Sequence, residues 1–399
     1  MKINGIDWSG DIPNSWGKSR LKEIISIKNG REIGADLTSG ISVYGSGGAF
    51  KYTDKYLYDG NSVLLGRKGT IDNPQLVSGK FWTVDTTYYT IADENKILTK
   101  IFYYMSLCFD FQYFQTGSTL PSMTQMDLGS IVLPVPPLSE QQAITDFLDE
   151  KTAIIDEART ILTKQIATLG DYKRALIYRA VTKGLDQTAK LVPSGVDWIG
   201  DVPEGWEIAP VKYFYDFFAG TTPDTKDEFL YGDENGYTWI TIADMKNEKY
   251  VSSSKQTFSE LFVKQNNPKL SPAGSLLYSF KLSVGKVAFA KKNLYTNEAI
   301  ATFLSSNKND LRYLYYSSFF IEENAEENIY GAKLLNRERI QSASIIFPPI
   351  SEQQAIAYFL DEKTVIIDEI IDNKNQQLKN LVNQRKTLIY NYVTGKERI

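Results

Sequence analysis

The sequence contains no histidine and only one cysteine, Cys108. Without histidine the chain cannot use Ser-His-Asp or Cys-His catalysis, a histidine general base or histidine ligands to a metal ion. A single cysteine cannot form a disulfide within the chain, which favours a reducing compartment. We therefore expect a cytoplasmic protein that has no metal site.

The chain also lacks long apolar runs. None approaches the roughly 18 residues that a membrane span needs. The N-terminal sequence MKINGIDWSGD has no apolar core of the kind found in signal peptides. We therefore expect no association with a membrane.

Common catalytic and cofactor motifs are missing as well. There is no phosphate loop with Gly-Lys-Ser/Thr. Residues 45–48 resemble part of a dinucleotide loop, but no helix is predicted after them. Residues 347–350 do not match the motif of amino-group methyltransferases, and the nuclease-like pair at 223–224 and 244–246 is short enough to recur by chance. We predict a chain with no catalytic residues and no cofactor of its own.

The overall charge is slightly acidic, with 44 lysines and arginines against 48 aspartates and glutamates and a sequence pI of about 5.3. This counts against a simple basic nucleic-acid binder, although a local basic face remains compatible with it. The 399 residues have room for two to three domains, and an apolar content of 42% is sufficient for packed cores.

An internal repeat dominates the chain. Residues 139–157, SEQQAITDFLDEKTAIIDE, return as residues 351–369. A shorter box, NGIDWSGDIPNSW at residues 4–16, returns as SGVDWIGDVPEGW at residues 194–206. The two long copies differ only at Thr145, Asp146 and Ala153. The sequence therefore predicts two tandem halves, each with a start box, a variable block and a helical box.

The helical boxes predict two long helices. Ser139 has the features of an N-cap with Gln142 as its capping-box partner, and Gly184 is a typical stop. Apolar residues recur every seven positions in both copies, which is typical of a coiled coil. We expect an antiparallel pair that holds the two variable blocks at opposite ends. The repeated positions are Leu148, Ile155, Leu162, Leu169 and Leu176, then Leu360, Ile367, Leu381 and Leu388, with Lys374 as a polar break.

The variable blocks, at about 17–133 and 207–347, predict mixed α and β structure. In the first, we expect strands at 62–65, 81–91 and 131–133 and a helix at 98–109. Residues 274–289 and 310–320 repeat this plan in the second. The predicted fold class is α/β, of the α+β kind, with two similar globular domains separated by two long antiparallel helices. The predicted boundaries are 1–136 and 187–348 for the domains, and 137–186 and 349–399 for the helices.

Polar and basic loops between these strands are the candidate binding residues. Arginine and lysine suit guanine edges and phosphates, and serine and threonine serve either. Ordinary solvated loops would look alike in composition, but equivalent loops carry different side chains in the two halves. The candidate DNA contacts are Ser46, Arg67, Lys68, Thr70, Ser118 and Thr119 in the first half, and Ser279, Lys281, Ser283, Lys286, Lys333 and Arg337 in the second.

The order of start box, variable block and SEQQAI…FLDEKTAIID helix, occurring twice, resembles the specificity (S) subunit of bacterial type I restriction-modification systems. The resemblance covers essentially the whole chain. It implies that each variable block is a target recognition domain for one half of a split double-stranded DNA site. It further implies that the helices set the spacing and dock two methyltransferase (M) subunits, and that restriction (R) subunits complete the nuclease.

The resemblance also implies where cofactors and partners bind. S-adenosylmethionine is expected on the M subunit, and ATP and magnesium on the R subunit. On the helical boxes, the candidate partner contacts are Gln141, Phe147, Tyr358 and Phe359. The alternatives are a protein-interaction adaptor with two modules on a coiled coil, an enzyme with an unrecognised site, and an S protein whose domains are exchanged by recombination.

Overall fold

The computed structural model describes residues 8–34, 37–114, 121–223, 236–246, 248–281, 283–323, 325–327 and 333–399. The chain divides into two compact units. The first unit comprises Met1–Gln165 together with Asn373–Ile399, and the second comprises Ile166–Asp372. Every helix within the described ranges is too short or too polar to span a membrane.

The first unit is built from strands and short helices that lead into one long helix. Its strands are β1 Gly17–Arg20, β2 Ile25–Asn29, β3 Ile41–Gly45, β4 Gly48–Thr53, β5 Tyr58–Asp59, β6 Ser62–Gly66, β7 Gln75–Val77, β8 Lys80–Thr83, β9 Thr87–Ala92 and β10 Val132–Val135. Its helices are α1 Leu21–Ile24, α2 Thr99–Ser106, α3 Phe111–Phe114, α4 Gln125–Ser130 and α5 Leu138–Lys183, of which the last continues into the second unit.

Two four-stranded sheets form the β part of the first unit. One has the order β2-β9-β6-β7 and is antiparallel throughout, and the other has the order β4-β3-β8-β5 with β3 and β8 parallel. The pair β1 and β10 brings the two ends of the block together before the long helix begins. The buried core includes Trp8 and Trp16 from the start box.

The second unit repeats this plan. Its strands are β11 Leu191–Pro193, β12 Asp201–Pro203, β13 Glu207–Pro210, β14 Phe217–Ala219, β15 Tyr237–Ile240, β16 Tyr250–Val251, β17 Thr257–Phe258, β18 Leu276–Ser279, β19 Val287–Ala290, β20 Tyr295–Thr296, β21 Ile300–Phe303, β22 Glu326–Glu327, β23 Lys333–Leu334 and β24 Ser344–Phe347. Its helices are α6 Glu260–Asn266, α7 Leu311–Ser317, α8 Phe319–Glu322, α9 Arg337–Ser342 and α10 Ile350–Val393, with a 3₁₀ turn at Val211–Tyr213.

The sheets of the second unit correspond to those of the first. Strands β14-β21-β18-β19-β16 form a sheet whose first four members match β2-β9-β6-β7 in order. Parallel β15 and β20 match β3 and β8, and the pair β13 and β24 matches β1 and β10. The mixed α and β fold with two similar domains is therefore confirmed, and the loops are where the domains differ.

The two long helices run antiparallel in each unit. In the first unit the beginning of α5 lies against the end of α10, where Arg385 Nε donates to Asp156 Oδ2 (3.1 Å). In the second unit the end of α5 lies against the beginning of α10, where Lys173 Nζ donates to Asp368 (2.6 Å). These two ion pairs occupy equivalent places in the repeat. Gln165 accepts from Lys374 Nζ (2.7 Å), so the polar break in the heptads has a polar partner.

Three local expectations are corrected by the structure. Helix α5 begins at Leu138, and Gln141 N–H donates to Pro137 O (2.9 Å), so Pro137 rather than Ser139 occupies the N-cap position. The predicted strand at 81–91 is two strands, because Thr87 N–H bonds Val84 O and the chain turns from one sheet into the other. The predicted helix at 310–320 is α7 followed by α8.

The predicted C-terminal stop of α5 is confirmed. Gly184 has a φ of +73°, and its N–H donates to Ala180 O (3.1 Å). A left-handed residue at this place ends a helix, and glycine adopts it without a steric penalty. The ring of Trp206 lies against Gly184, so the end of the helix also packs on the second start box.

Candidate functional site

In the first unit, the loops that carry the candidate residues meet at one place. The β3–β4 hairpin turns at Ser46, whose Oγ lies 3.3 Å from where a Cβ on Gly69 would stand. Gly69 has a φ of +84°, which glycine adopts readily. The N–H groups of Arg67 and Lys68 both donate to Thr86 O, at 2.8 and 3.2 Å. The hairpin tip, the loop after β6 and the turn before β9 therefore form one cluster, which we call the first loop cluster.

Arg67 and Lys68 have different freedom within this cluster. Arg67 is half-buried, and its Nη1 donates to Asp85 O (3.2 Å), so the protein itself holds part of the guanidinium. Lys68 forms an isolated β-bridge with Ser122 through its backbone, which leaves its half-exposed side chain pointing from an anchored loop. Thr70 is exposed. The other two candidates in this unit, Ser118 and Thr119, lie outside the described residues.

Two side chains that the sequence analysis did not single out, Phe50 and Gln75, adjoin the hairpin tip. The ring of Phe50 is 59% exposed and lies 3.5 Å from where a Cβ on Gly45 would stand. Gln75 Nε2 donates to Gly45 O (3.3 Å) from strand β7. No local signal marks either residue. Gly45 and Gln75 are separated by 30 positions, and only the folded sheets bring them together.

In the second unit, one candidate is buried and has a structural role. Ser279 is fully buried, its hydroxyl donates to Ser283 O, and its Oγ accepts from Lys286 N–H (2.9 Å). The prediction that Ser279 contacts DNA is therefore wrong, because the hydroxyl closes its own loop and has no exposed surface. Lys281 and Ser283 are exposed at the tip of that loop. Lys281 Nζ lies 5.9 Å from the ring centre of Phe280.

The remaining candidates of the second unit border the same loop, and we call the group the second loop cluster. Lys333 Nζ lies 3.7 Å from the carboxylate of Glu322, and burial raises the pKa of that carboxyl. Glu322 also lies directly against Gly285, which has a φ of +92°. Lys286 Nζ reaches Ile242 O (3.5 Å). Arg337 is exposed at the start of α9.

The repeated helical box holds each domain onto its own helix. Trp16 Nε1 donates to Glu140 (2.8 Å) in the first unit, and Trp206 Nε1 donates to Glu352 (3.0 Å) in the second. Two tryptophans of the start boxes thus meet two glutamates of the helical boxes. The same contact thus forms in each unit, although 124 positions separate its two residues in the first and 146 in the second.

The candidate partner contact Gln141 is part of the same internal attachment. It is fully buried, its Oε1 accepts from Leu98 N–H (2.8 Å), and its Nε2 donates to Lys96 O (2.9 Å) and Pro136 O (2.8 Å). Gln353 does the same in the second unit, with Asp310 N–H and Pro348 O. The prediction that Gln141 binds a partner is corrected, since its side chain is bonded and inaccessible.

One aspartate of each box, Asp149 or Asp361, also bonds to the recognition block of its own unit. Tyr104 Oη donates to Asp149 Oδ1 (2.7 Å), and Tyr316 Oη donates to Asp361 Oδ1 (2.5 Å). Burial and the adjacent carboxylate raise the pKa of both phenols. Lys100 also pairs with Asp149. Asp149 therefore binds the recognition block of its own unit.

The opposite face of each box is exposed and partly apolar. Ile154 and Ile366 are 56% and 46% exposed, although the adjacent isoleucine is buried in both copies. Phe147, one heptad before Ile154, is half-buried, and its ring centre lies 4.5 Å from that of Tyr392 and 5.6 Å from Lys151 Nζ. The second copy repeats this at Phe359 and Lys363 (5.9 Å), next to Tyr358, which is 68% exposed. We call these two surfaces the outer faces of the boxes.

The sequence matches one family model over both halves. The model describes the type I restriction modification DNA specificity domain and covers residues 13–167 and 203–380. The MjaVIII type I restriction enzyme specificity subunit of Methanocaldococcus jannaschii is 22% identical over 97% of this chain and 94% of its own length. These matches do not favour a general adaptor protein.

Solved structures share the fold. One is a chain from a study of complex assembly and conformational transition of the type I R-M system, with a TM-score of 0.73 at 15% identity over 96% of this chain and 98% of the other. Another is the HsdS subunit from Thermoanaerobacter tengcongensis, with a TM-score of 0.52 at 15% identity over 97% and 98% of the two chains. The architecture of two similar domains and long helices therefore occurs in these structures too.

Proposed function

The chain belongs to the family of type I restriction-modification DNA specificity subunits, and from this premise we propose that its two loop clusters read the two halves of one bipartite DNA site. Subunits of this family recognise DNA and are not catalytic. The observation that carries the proposal is that two domains of the same strand order present different side chains at equivalent loops. In the loop after β6 the first offers Arg67 and Lys68, and in the equivalent loop after β18 the second offers Lys281 and Ser283.

The charge distribution supports this role. The chain is acidic overall, but the carboxylates Glu140, Asp149 and Asp361 are occupied with contacts inside their own units. Lys68 and Lys281 lie at loop tips instead. Cations presented from anchored loops contact phosphates and base edges, and phosphate contacts set the salt dependence of binding.

We further propose that the outer faces dock two copies of the methyltransferase subunit. Each face pairs a half-buried aromatic residue, Phe147 or Phe359, with an exposed isoleucine one heptad later. An apolar side chain kept on a solvent-facing position in both copies is a typical contact for a protein partner. Two equal faces fit two equal partners, whereas the loop clusters differ because the half-sites differ.

These two proposals give each part of the chain a role. Residues 1–136 and 187–348 are the recognition domains, and residues 137–186 and 349–399 are the helices that dock partners and set the spacing. S-adenosylmethionine binds the methyltransferase subunit, and ATP and magnesium bind the restriction subunit. No chemical step is assigned to this chain.

A methylation map tests the recognition proposal. The chain is co-expressed with its methyltransferase subunit, and methylated adenines are located across the host genome. We expect one bipartite motif with a fixed gap. Replacing residues 17–133 with the block of a relative should change one half of the motif and leave the other half intact. A change in both halves, or a motif without two parts, would contradict the proposal.

Native mass spectrometry tests the docking proposal. The wild-type chain is expected to bind two methyltransferase subunits. Ile154→Glu and Ile366→Glu should each remove one, and the double variant should remove both, because a carboxylate in an apolar contact is left desolvated. Met126→Glu is the control, since Met126 is 81% exposed in a recognition domain. Two bound subunits in the double variant would rule out the outer faces.

A further inference from the structure

Gln75 lies beside the turn of the β3–β4 hairpin in the first loop cluster. Its Nε2 donates to Gly45 O at 3.3 Å, and its Oε1 lies 3.8 Å from where a Cβ on Gly48 would stand. The amide therefore spans the turn from one end to the other. Between the two ends is Ser46, whose hydroxyl adjoins the loop with Arg67.

The amide has hydrogen-bonding capacity that the protein does not use. A glutamine amide carries two N–H donors and one carbonyl acceptor. The bond to Gly45 uses one donor, and no other described group bonds to this amide. One N–H and the carbonyl oxygen remain. A donor and an acceptor on one amide match the N7 acceptor and the N6 donor that adenine presents in the major groove.

The position of Gln75 favours such a contact. Strand β7 is antiparallel to β6, and Gln75 pairs with Leu64. The backbone of Gln75 is therefore held in a sheet and not in a free loop. The bond to Gly45 fixes the orientation of the amide, and a side chain fixed before binding loses less entropy on binding. Exposed Phe50 adjoins Gly45, and the loop that carries half-exposed Lys68 adjoins Ser46 at the same hairpin tip. An apolar ring and an ammonium group there suit a base edge and a phosphate.

We propose that Gln75 is a specificity-determining residue of the first recognition domain and that its amide pairs with the adenine of one A·T base pair. The inference rests on the proposed function, because it requires that the first loop cluster lies on DNA. It adds a residue and a base identity to that function. The bond to Gly45 gives Gln75 a second role, as the residue that orients the hairpin tip.

The test is the methylation map of two variants in the complex with the methyltransferase subunit. Gln75→Met keeps the length of the side chain and removes the amide. It should relax the preference at one A·T pair of one half-site by about 5- to 150-fold, the range that one bidentate base contact supplies. Gln75→Arg, which keeps donors toward Gly45, should move the preference at that pair toward guanine. Gln265→Met is the matched control, since Gln265 is exposed on α6 in the other recognition domain and belongs to neither loop cluster nor to the long helices.

The possible outcomes separate the inference from the function beneath it. An unchanged motif in Gln75→Met would overturn the inference and leave the bipartite recognition intact. Weakening at several positions together, or loss of all methylation, would also overturn it, because either result means that Gln75 only positions the hairpin. Failure of the proposed function would appear in the wild-type map itself, as the absence of a two-part motif.

Discussion

Replacing Gln141 with leucine should destabilise the first unit while leaving partner recognition chemically unchanged. Leucine has a similar size but leaves three backbone groups without their partner, namely Leu98 N–H, Lys96 C=O and Pro136 C=O. At about 1 kcal/mol per hydrogen bond lost in this way, the cost is about 3 kcal/mol. Gln353→Leu is the equivalent substitution in the second unit.

The second copy of the box allows the stability loss of Gln141→Leu to be compared with that of Gln353→Leu. Gln353 makes two such bonds, to Asp310 N–H and Pro348 O, so the same argument gives about 2 kcal/mol for its replacement. Each unit has about 200 residues. A loss of 1 kcal/mol in a unit of that size lowers the melting temperature by about 2–4 °C. The expected shifts are therefore about 6–12 °C for Gln141→Leu and about 4–8 °C for Gln353→Leu.

Calorimetry and hydrogen exchange together provide the assay. Calorimetry of the full chain should show one transition lowered in each variant. Exchange measured by mass spectrometry should rise around Lys96 and Leu98 in the first variant and around Asp310 in the second. Gln142→Leu, at an exposed neighbouring position, should change neither. Unaltered stability with lost methyltransferase binding in Gln141→Leu would refute the reasoning, since it would mean that Gln141 serves the partner.

Three further predictions concern single contacts. Asp156→Arg and Arg385→Asp should each cost up to about 1 kcal/mol of stability, a small value because the ion pair is partly exposed. The double variant restores opposite charges at the two positions and should recover part of that loss; additive losses would contradict this. Burial raises the pKa of the half-buried Cys108 thiol to about 12, so iodoacetamide at pH 8 should label it far more slowly in the folded chain than in the unfolded chain, and stability should fall as pH rises from about 9 to about 12; equal labelling rates in the two states would contradict this. Gly285→Ala places a Cβ 2.0 Å from Glu322 Oε1 at a φ of +92°, so methylation mapping should show a weakened second half-site only.

The sequence alone predicts the features that depend on periodicity and repetition. Heptad spacing, the glycine at position 184 and the two copies of the box predict both long helices and their antiparallel pairing. The strand at 81–91 is predicted wrongly because its alternation continues through a turn. That turn exists because β8 pairs with β3 and β5 while β9 pairs with β2 and β6, and no local pattern records those distant partners.

The site is less accessible from sequence, for a related reason. The repeat shows that Gln141 and Gln353 occupy equivalent positions. A contact within the unit and a contact with a partner would both produce this repetition in the sequence. Only the position of Leu98 N–H relative to the helix distinguishes them. Ser279 lies in a loop whose composition is typical of a binding loop. The hydrogen bond from its hydroxyl to Ser283 O forms only in the folded loop. Gln75 requires two sheets to be assembled before it meets Gly45.

The first unit is formed from two segments that are distant in the sequence, and this affects the order of folding during synthesis. Its buried core includes Ile389 and Val393 from the end of α10, and Gly395 packs against Pro13 and Trp16. The ribosome makes residues 166–372 between the two parts of this unit. At about 5–20 residues per second, the N-terminal part waits roughly 10–40 s for its last contacts. The second unit, whose residues are continuous in sequence, is therefore expected to complete its fold first, and the N-terminal block is the one that relies on chaperones during that interval.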